Sequence, residues 1–206
     1  MLKIVDHPLI KDKLTRMRKI ETVSTVFRSN LEEITTLLAY EVSKNMKVKE
    51  IDVQTPIKMC KGYKLQNKIC LVPILRAGLG MVDGIKNLIP TASIGHIGLY
   101  RDENKLKPVE YYTKLPKNIN ESDVLILDPM LATGQSASKA ISLVKKFNPK
   151  SITFICILSS PEGVKYLEKQ HHDITVYTAS LDDRLNKDGY IEPGLGDAGD
   201  RLFGTK

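Results

Sequence analysis

Residues 124–136, VLILDPMLATGQS, constrain what this chain can fold into more than any other stretch. Val124, Leu125, Ile126 and Leu127 form a continuous apolar run that reads as a buried strand. The run ends in a lone carboxylate, Asp128, and a turn of small residues follows. Beyond the turn, Ala137, Ala140, Ile141 and Val144 recur at helical spacing up to Phe147. A carboxylate at a strand's C-terminal end, followed by Thr133, Gly134, Gln135 and Ser136 at a helix start, has a definite chemistry. Backbone N–H groups and hydroxyls there can hold a phosphate with help from the helix dipole. The carboxylate just upstream can accept hydrogen bonds from sugar hydroxyls. The pattern describes a pocket for a phosphorylated sugar.

The same alternation extends to both sides. Strands are expected over 69–75, 93–100, 124–127, 151–158 and 174–178, and helices over 79–88, 134–147 and 161–170, with Pro161 in the first turn of the last. This order implies an α/β fold with a mostly parallel central sheet flanked by helices. Residues 8–46 are helical in pattern: Leu9, Leu14, Met17 and Ile20 mark one helix. Leu31, Ile34, Leu37, Leu38 and Val42 form one face of a second, starting near Asn30. No catalytic side chains gather there, so packing or a subunit interface is the expected role. Residues 51–53 and 58–65 read as short strands or a hairpin ahead of the core sheet. Between 101 and 123 the pattern lapses into charged residues and prolines, and the alternation Val109-Glu110-Tyr111 suggests a projecting hairpin arm. With 206 residues, no internal repeat and no low-complexity linker, a single domain over 1–206 is expected.

Composition excludes more than it identifies. A formal net charge of +7 would suit an anionic partner, but the basic residues form no dense block, so scattered solubilising lysines account for it and nucleic acid is not implied. Cys60, Cys70 and Cys156 show no metal-ligand spacing, and the last two read as small core residues. His7, His96, His171 and His172 form no triad or metal set; His96 reads as a packed polar residue of a strand. The start, MLKIVDHPLIKDK, has no apolar signal region, and no apolar stretch approaches the roughly 18 residues of a membrane span. A cytoplasmic location and no membrane partner are the expectation.

Residues 124–136 resemble the signature of the type I phosphoribosyltransferases, which bind phosphoribosyl pyrophosphate (PRPP). Most members carry two adjacent acids at the strand end. Here Pro129 takes the second position, so one carboxylate does what two do elsewhere. The form Asp-Pro-Met-Leu-Ala-Thr-Gly is that of the uracil phosphoribosyltransferases. Three further blocks agree in order and spacing: VPILRAGLGM at 72–81, LYRDE at 99–103 and YIEPGLGDAGDRLFGT at 190–205. On these blocks the chain is identified as a member of that family, by a resemblance covering nearly its whole length.

The resemblance implies the type I fold with an N-terminal helical segment, a β-arm at about 101–123 that closes over PRPP, and a C-terminal base-binding hood at about 179–206. It implies a pentosyltransferase that converts uracil and PRPP to UMP and diphosphate in pyrimidine salvage. Magnesium is expected as cofactor, bound mainly through PRPP. Asp128, Asp197 and Arg76 are the implied catalytic residues. PRPP contacts fall on Arg76, Arg101, Asp128, Pro129, Met130, Leu131, Ala132, Thr133, Gly134, Gln135, Ser136 and Asp197. Uracil contacts fall on Ile191, Gly196, Asp197 and Ala198. Relatives assemble as dimers or tetramers and some respond to GTP, so a homo-oligomer and a GTP effector are both carried as expectations.

Residue chemistry runs beside the resemblance. Arg76 ends a buried strand and is costly to bury unpaired, so it faces an anion or pairs with a local acid such as Asp83. By resemblance its loop binds pyrophosphate, often through a non-proline cis peptide at this position, and Arg101 reaches the same group when the arm closes. Asp128 does not suit a helix cap, because the helix starts several residues later; Thr133 does. Residues 194–199 formally match G-x-G-x-x-G, but the seven residues that follow leave no room for a helix and return strand, so dinucleotide binding is rejected. A glycine-rich, non-helical tail can instead press backbone amides and carbonyls against a flat ligand. Uracil's edge of alternating carbonyls and N–H can be matched that way, with cytosine rejected by one reversed polarity. Leu202 and Phe203 in the tail want burial. Two other readings stay open: a regulatory chain of the same fold that binds RNA of pyrimidine genes, and a transferase for another nucleobase.

Overall fold

A computed structural model describes residues 1–101 and 108–205, with the side chain of Arg101 outside it. The chain opens with β1 (Leu2–Ile4), the helices α1 (Pro8–Arg18) and α2 (Ser24–Ser43), and the hairpin β2 (Val48–Gln54) and β3 (Met59–Leu65). Strand β4 (Lys68–Leu75) leads through a 3-10 turn, Ala77–Met81, into α3 (Val82–Lys86), then β5 (Ser93–Ile94), β6 (His96–Arg101) and β7 (Pro108–Lys114). The apolar run before Asp128 lies in β8 (Ser122–Leu127), followed by β9 (Met130–Leu131) and α4 (Gln135–Lys145). The remainder is β10 (Ser151–Ser159), α5 (Pro161–Gln170), β11 (Thr175–Leu181), β12 (Arg184–Leu185), β13 (Ile191–Glu192) and α6 (Ala198–Phe203).

The main sheet has the order β1-β11-β10-β8-β4-β6-β7, and only β6–β7 pair antiparallel along that path. Alternate residues of β8 serve opposite cores. Leu125 and Leu127 join Met17, Phe27, Leu31 and Leu202 on the side of α1, α2 and α6, while Val124 and Ile126 join Ile141, Val144 and Leu167 of α4 and α5. Both faces are covered, which is why the run Val124 to Leu127 of this strand is apolar at every position. The carboxyl ends of β4 and β8 lie side by side, because Pro73 pairs with Leu127. That edge is where sheets of this kind place ligands.

Several elements depart from expectation. The buried stripe of α1 is Ile10, Leu14 and Met17; Leu9 is 53% exposed and Ile20 97%, since the helix ends at Arg18 and the chain turns away. Helix α2 begins at Ser24, well before Asn30. Its inner face includes Asn30 and Thr35, which hide from a periodicity reading because each satisfies itself by donating to a backbone carbonyl one turn earlier. The helix expected over 79–88 starts as a 3-10 turn, and the strand expected over 93–100 is interrupted at Gly95. The expected hairpin arm is partly seen as β6–β7, and residues 102–107 of it lie outside the described residues. The tail is not free of helix: α6 closes it, with the Asp197 side chain accepting from the Asp200 N–H as N-cap and Gly204 in the left-handed region at its end.

Candidate active site

The Asp128 loop is built on β10 and the start of α5. Asp128 N–H donates to Ile155 at 3.2 Å, and the carbonyl of Pro129 accepts from Ile157 and Leu158 at 2.9 and 3.0 Å. Ser160 then pins the loop. Its N–H donates to Leu131 O at 3.0 Å, its hydroxyl donates to Ala132 O at 2.7 Å, and the same oxygen accepts from Gly163 N–H at 2.9 Å. The approach is so close that a Cβ on Gly163 would lie 2.2 Å from the Ala132 carbonyl oxygen. Gly134 caps α4 with φ 77, a conformation that other residues rarely adopt. Thr133 is therefore not the cap, and α4 has no side-chain cap at all. The first-turn amides keep their orientation for an anion, next to the half-exposed Thr133, Gln135 and Ser136.

Asp128 is largely buried at the mouth of this loop. Burial pushes its carboxyl up to about 7, against a smaller opposing effect of the Met130 N–H. A carboxylate in that position gains most from donors arriving with a ligand, and a ribose diol supplies two.

The Arg76 loop packs on the same strand end. The Leu75–Arg76 peptide is cis, as the resemblance implied. A Cβ on Gly78 would stand 2.4 Å from the carbonyl oxygen of Leu127, the residue before Asp128. Arg76 does not pair with Asp83: its Nη2 lies 3.3 Å from Asp200 Oδ1, in the tail. The guanidinium lies instead against α6, whose Phe203 ring centroid is 5.9 Å from its central carbon. Phe203 is accordingly half-exposed, while Leu202 is buried and fills the space left by Gly80.

The tail is folded over this edge by two arginines. Arg18 of α1 forks onto the buried Asp182 at 2.7 and 2.6 Å and also donates to Gly194 O at 2.7 Å. Asp182 in turn accepts from Gly194 N–H and from the Ser180 hydroxyl. Burial alone would raise this carboxyl; the hydrogen bonds from Arg18 and Ser180 outweigh it and leave Asp182 below its ordinary value. Arg201 spans Leu195 O, Met17 O and Lys19 O, with its guanidinium 4.7 Å from the Phe27 ring centroid. Ile191 and Ala198 are thereby buried, while Gly196 and Asp197 are presented outward. A Cβ on Gly199 would lie 3.3 Å from Asp197 Oδ1 and 3.8 Å from Arg76 Nη2, so the tail rests on the Arg76 loop.

The structure thus brings Asp128, the 129–136 loop, Arg76 and the 196–198 segment to one edge. The Arg101 backbone ends β6, and its side chain lies outside the described residues. Sequence reading missed Arg18, Ser160, Gly163, Asp182, Asp200 and Arg201. Only Ser160 carried a local signal, as a serine directly before a helix-opening proline. Among the described residues no cluster of three or more His, Cys, Asp or Glu could hold a metal, and no helix is long and apolar enough to cross a membrane.

This fold with a strand-end acid, an amide-lined turn and a second cationic loop is that of a phosphoribosyltransferase. A hypoxanthine-guanine phosphoribosyltransferase from Bacillus anthracis has a similar fold, with a TM-score of 0.52 at 15% identity, over 75% of this chain and 78% of that one. The AQ2163 protein from Aquifex aeolicus matches with a TM-score of 0.94 at 37% identity, over 98% of each chain. In sequence, the chain is 67% identical to a uracil phosphoribosyltransferase of Ureaplasma parvum and 63% identical to one of Malacoplasma penetrans, in both cases over all of each chain. A family model described as uracil phosphoribosyltransferase matches residues 4–205. The chain belongs to the uracil phosphoribosyltransferase family.

Proposed function

We propose that this chain transfers the 5-phosphoribosyl group of PRPP to a ring nitrogen of uracil, releasing UMP and diphosphate, a pyrimidine-salvage reaction. The observation that carries this reading is the packing of Gly78 on Leu127 and of Gly199 on Arg76. Through those two contacts the ribose-phosphate loop, the arginine loop and the base-binding tail share one edge.

In this reading the 5-phosphate sits on the amides and hydroxyls of 131–136. Asp128 accepts from the 2′- and 3′-hydroxyls and stabilises positive charge growing on the ribose ring. Arg76 and, from the arm, Arg101 receive the negative charge of the departing diphosphate. The nitrogen–carbon bond forms at the sugar C1′ as the bond to diphosphate breaks, and the proton of the uracil nitrogen passes to water or to the departing diphosphate; in this reading Asp197 orients that N–H. Ile191 and Ala198 wall the base, and the exposed backbone of Gly196 and Asp197 matches its polar edge. Catalysis rests on positioning and fixed charge more than on a dedicated acid.

Magnesium fits as a group shared with substrate. A lone acid at the strand end suits an ion that takes one or two carboxylates and fills its shell with phosphate oxygens and water. Bound there, the ion would neutralise diphosphate charge, with Asp128 the protein residue best placed to steady it.

A homo-oligomer is supported by the β2–β3 hairpin. It forms its own two-stranded sheet and exposes Val48, Met59 and Tyr63, and isolated two-stranded ribbons are marginal in water. A single domain, a GTP effector and a cytoplasmic location remain part of the proposal. Incubating the protein with PRPP, magnesium and each nucleobase tests the core of it. UMP from uracil alone is expected; equal nucleotide formation from cytosine or a purine base contradicts it.

A further inference from the structure

Arg76 is aimed from the tail. Its side chain is 57% exposed, yet its guanidinium is held on one edge by Asp200 Oδ1 at 3.3 Å and flanked by the Phe203 ring. Asp200 is itself well fixed. Its side chain is 14% exposed, its carboxylate accepts from the Thr205 hydroxyl, and its N–H donates to Asp197. A long, one-point ion pair orients a planar guanidinium without using up its fork. The remaining N–H donors stay available for an incoming oxyanion. An arginine without such contacts would spread over many rotamers and lose that freedom on binding.

We propose that Asp200 is a positioning residue which, with Phe203, aims Arg76 at the diphosphate of PRPP. The helix that carries the base-binding segment then also sets the grip on the leaving group. The inference rests on reading Arg76 as a diphosphate ligand.

Asp200→Asn keeps the side-chain volume and an acceptor for Thr205 while removing the charge. In steady-state kinetics of the full chain, KM for PRPP should rise about five- to tenfold, the scale of one charge-assisted hydrogen bond. KM for uracil should stay within about twofold. Phe203→Leu should shift the same constant in the same direction by less. Thr205→Val removes one bond that fixes Asp200, and should raise KM for PRPP in the same direction by less than Asp200→Asn, with KM for uracil unmoved. A parallel rise of both KM values in Asp200→Asn, or no change in either, overturns the inference.

Pyrophosphate binding by calorimetry reads the pair independently of turnover. If the unsubstituted protein binds pyrophosphate but makes no UMP, the functional reading fails. Weaker pyrophosphate binding by Asp200→Asn would still support the positioning role, and unchanged binding would overturn it. In an Arg76→Lys background, Asp200→Asn should weaken pyrophosphate binding no further. Should Asp200→Asn fail to fold, Phe203→Leu decides by the same binding measurement: unchanged affinity counts against the inference.

Discussion

The two halves of the candidate site are held by different physics. The Asp128 loop is fixed by backbone packing among near neighbours: carbonyls of Pro129, Leu131 and Ala132 meet amides of β10 and the amide and hydroxyl of Ser160, and Gly163 permits the contact. The tail is fixed by side chains reaching from the far end of the chain, with Arg18 on Asp182 across 164 residues and Arg201 on Met17 across 184. Backbone packing makes a rigid cradle with little to adjust. Arginine forks make a cover whose position depends on a few charged contacts. In the proposed function, the first arrangement suits a phosphate site and the second a segment that meets the base.

The largest expected effect is at the cradle's one carboxylate. Asp128→Asn should lower kcat/KM by about a thousandfold, the order seen when a fixed charge is removed from a transition state. The same substitution should stabilise the fold near neutral pH. The folded-state pKa of about 7 lies above the ordinary 3.8, so the unsubstituted protein is favoured with Asp128 protonated, and that stability is lost as pH rises through about 7. Asparagine removes the loss. Denaturant unfolding at mildly alkaline pH should therefore show Asp128→Asn more stable by about 1–2 kcal/mol, with the difference fading as pH falls to the ordinary carboxylate range. A variant less stable at alkaline pH would break the account of this carboxyl.

At the cover, Arg18→Met strands the buried Asp182. A loss of about 2–4 kcal/mol is expected, with Arg18→Met combined with Asp182→Leu recovering much of it. KM for uracil should rise more than KM for PRPP; the opposite order would show that the fork serves the cradle.

Glycine substitutions sharpen the contrast at smaller scale. Gly163→Ala drives a methyl into backbone and should cost about 1–3 kcal/mol while weakening PRPP binding. Gly196→Ala, where the nearest atom to a new Cβ is the side-chain Cδ of Arg201 at 3.7 Å, meets only its own φ of 81. A cost of about 1 kcal/mol, seen mainly in uracil affinity, is expected there. Equal effects on both substrates from both variants would erase the distinction between cradle and cover.

That distinction also explains what was legible in the sequence. The β8–loop–α4 unit is written in consecutive residues, so strand, acid, turn and helix could be read from their order. Helix α5 was legible at both ends, from Pro161 to Gln170, because a proline opens it. The cover was legible only as a glycine-rich block with a family resemblance. Its anchors pair residues more than a hundred positions apart, and no local pattern marks Arg18 or Asp182. Six residues are too few for α6 to show a helical period, and its cap, Asp197, was read as a ligand alone. The sequence marks Arg76 as a cation in want of an anion, but its partner Asp200 stands 124 residues away, and nothing local sets it above the nearer Asp83.

The central claim is that cradle and cover grip one nucleotide. Amide hydrogen exchange with and without UMP tests it most directly. The account predicts that UMP slows exchange together in 129–136 and in 191–199, with the same dependence on nucleotide concentration. Protection confined to 129–136, with the tail exchanging as in the free protein at saturating UMP, would contradict it.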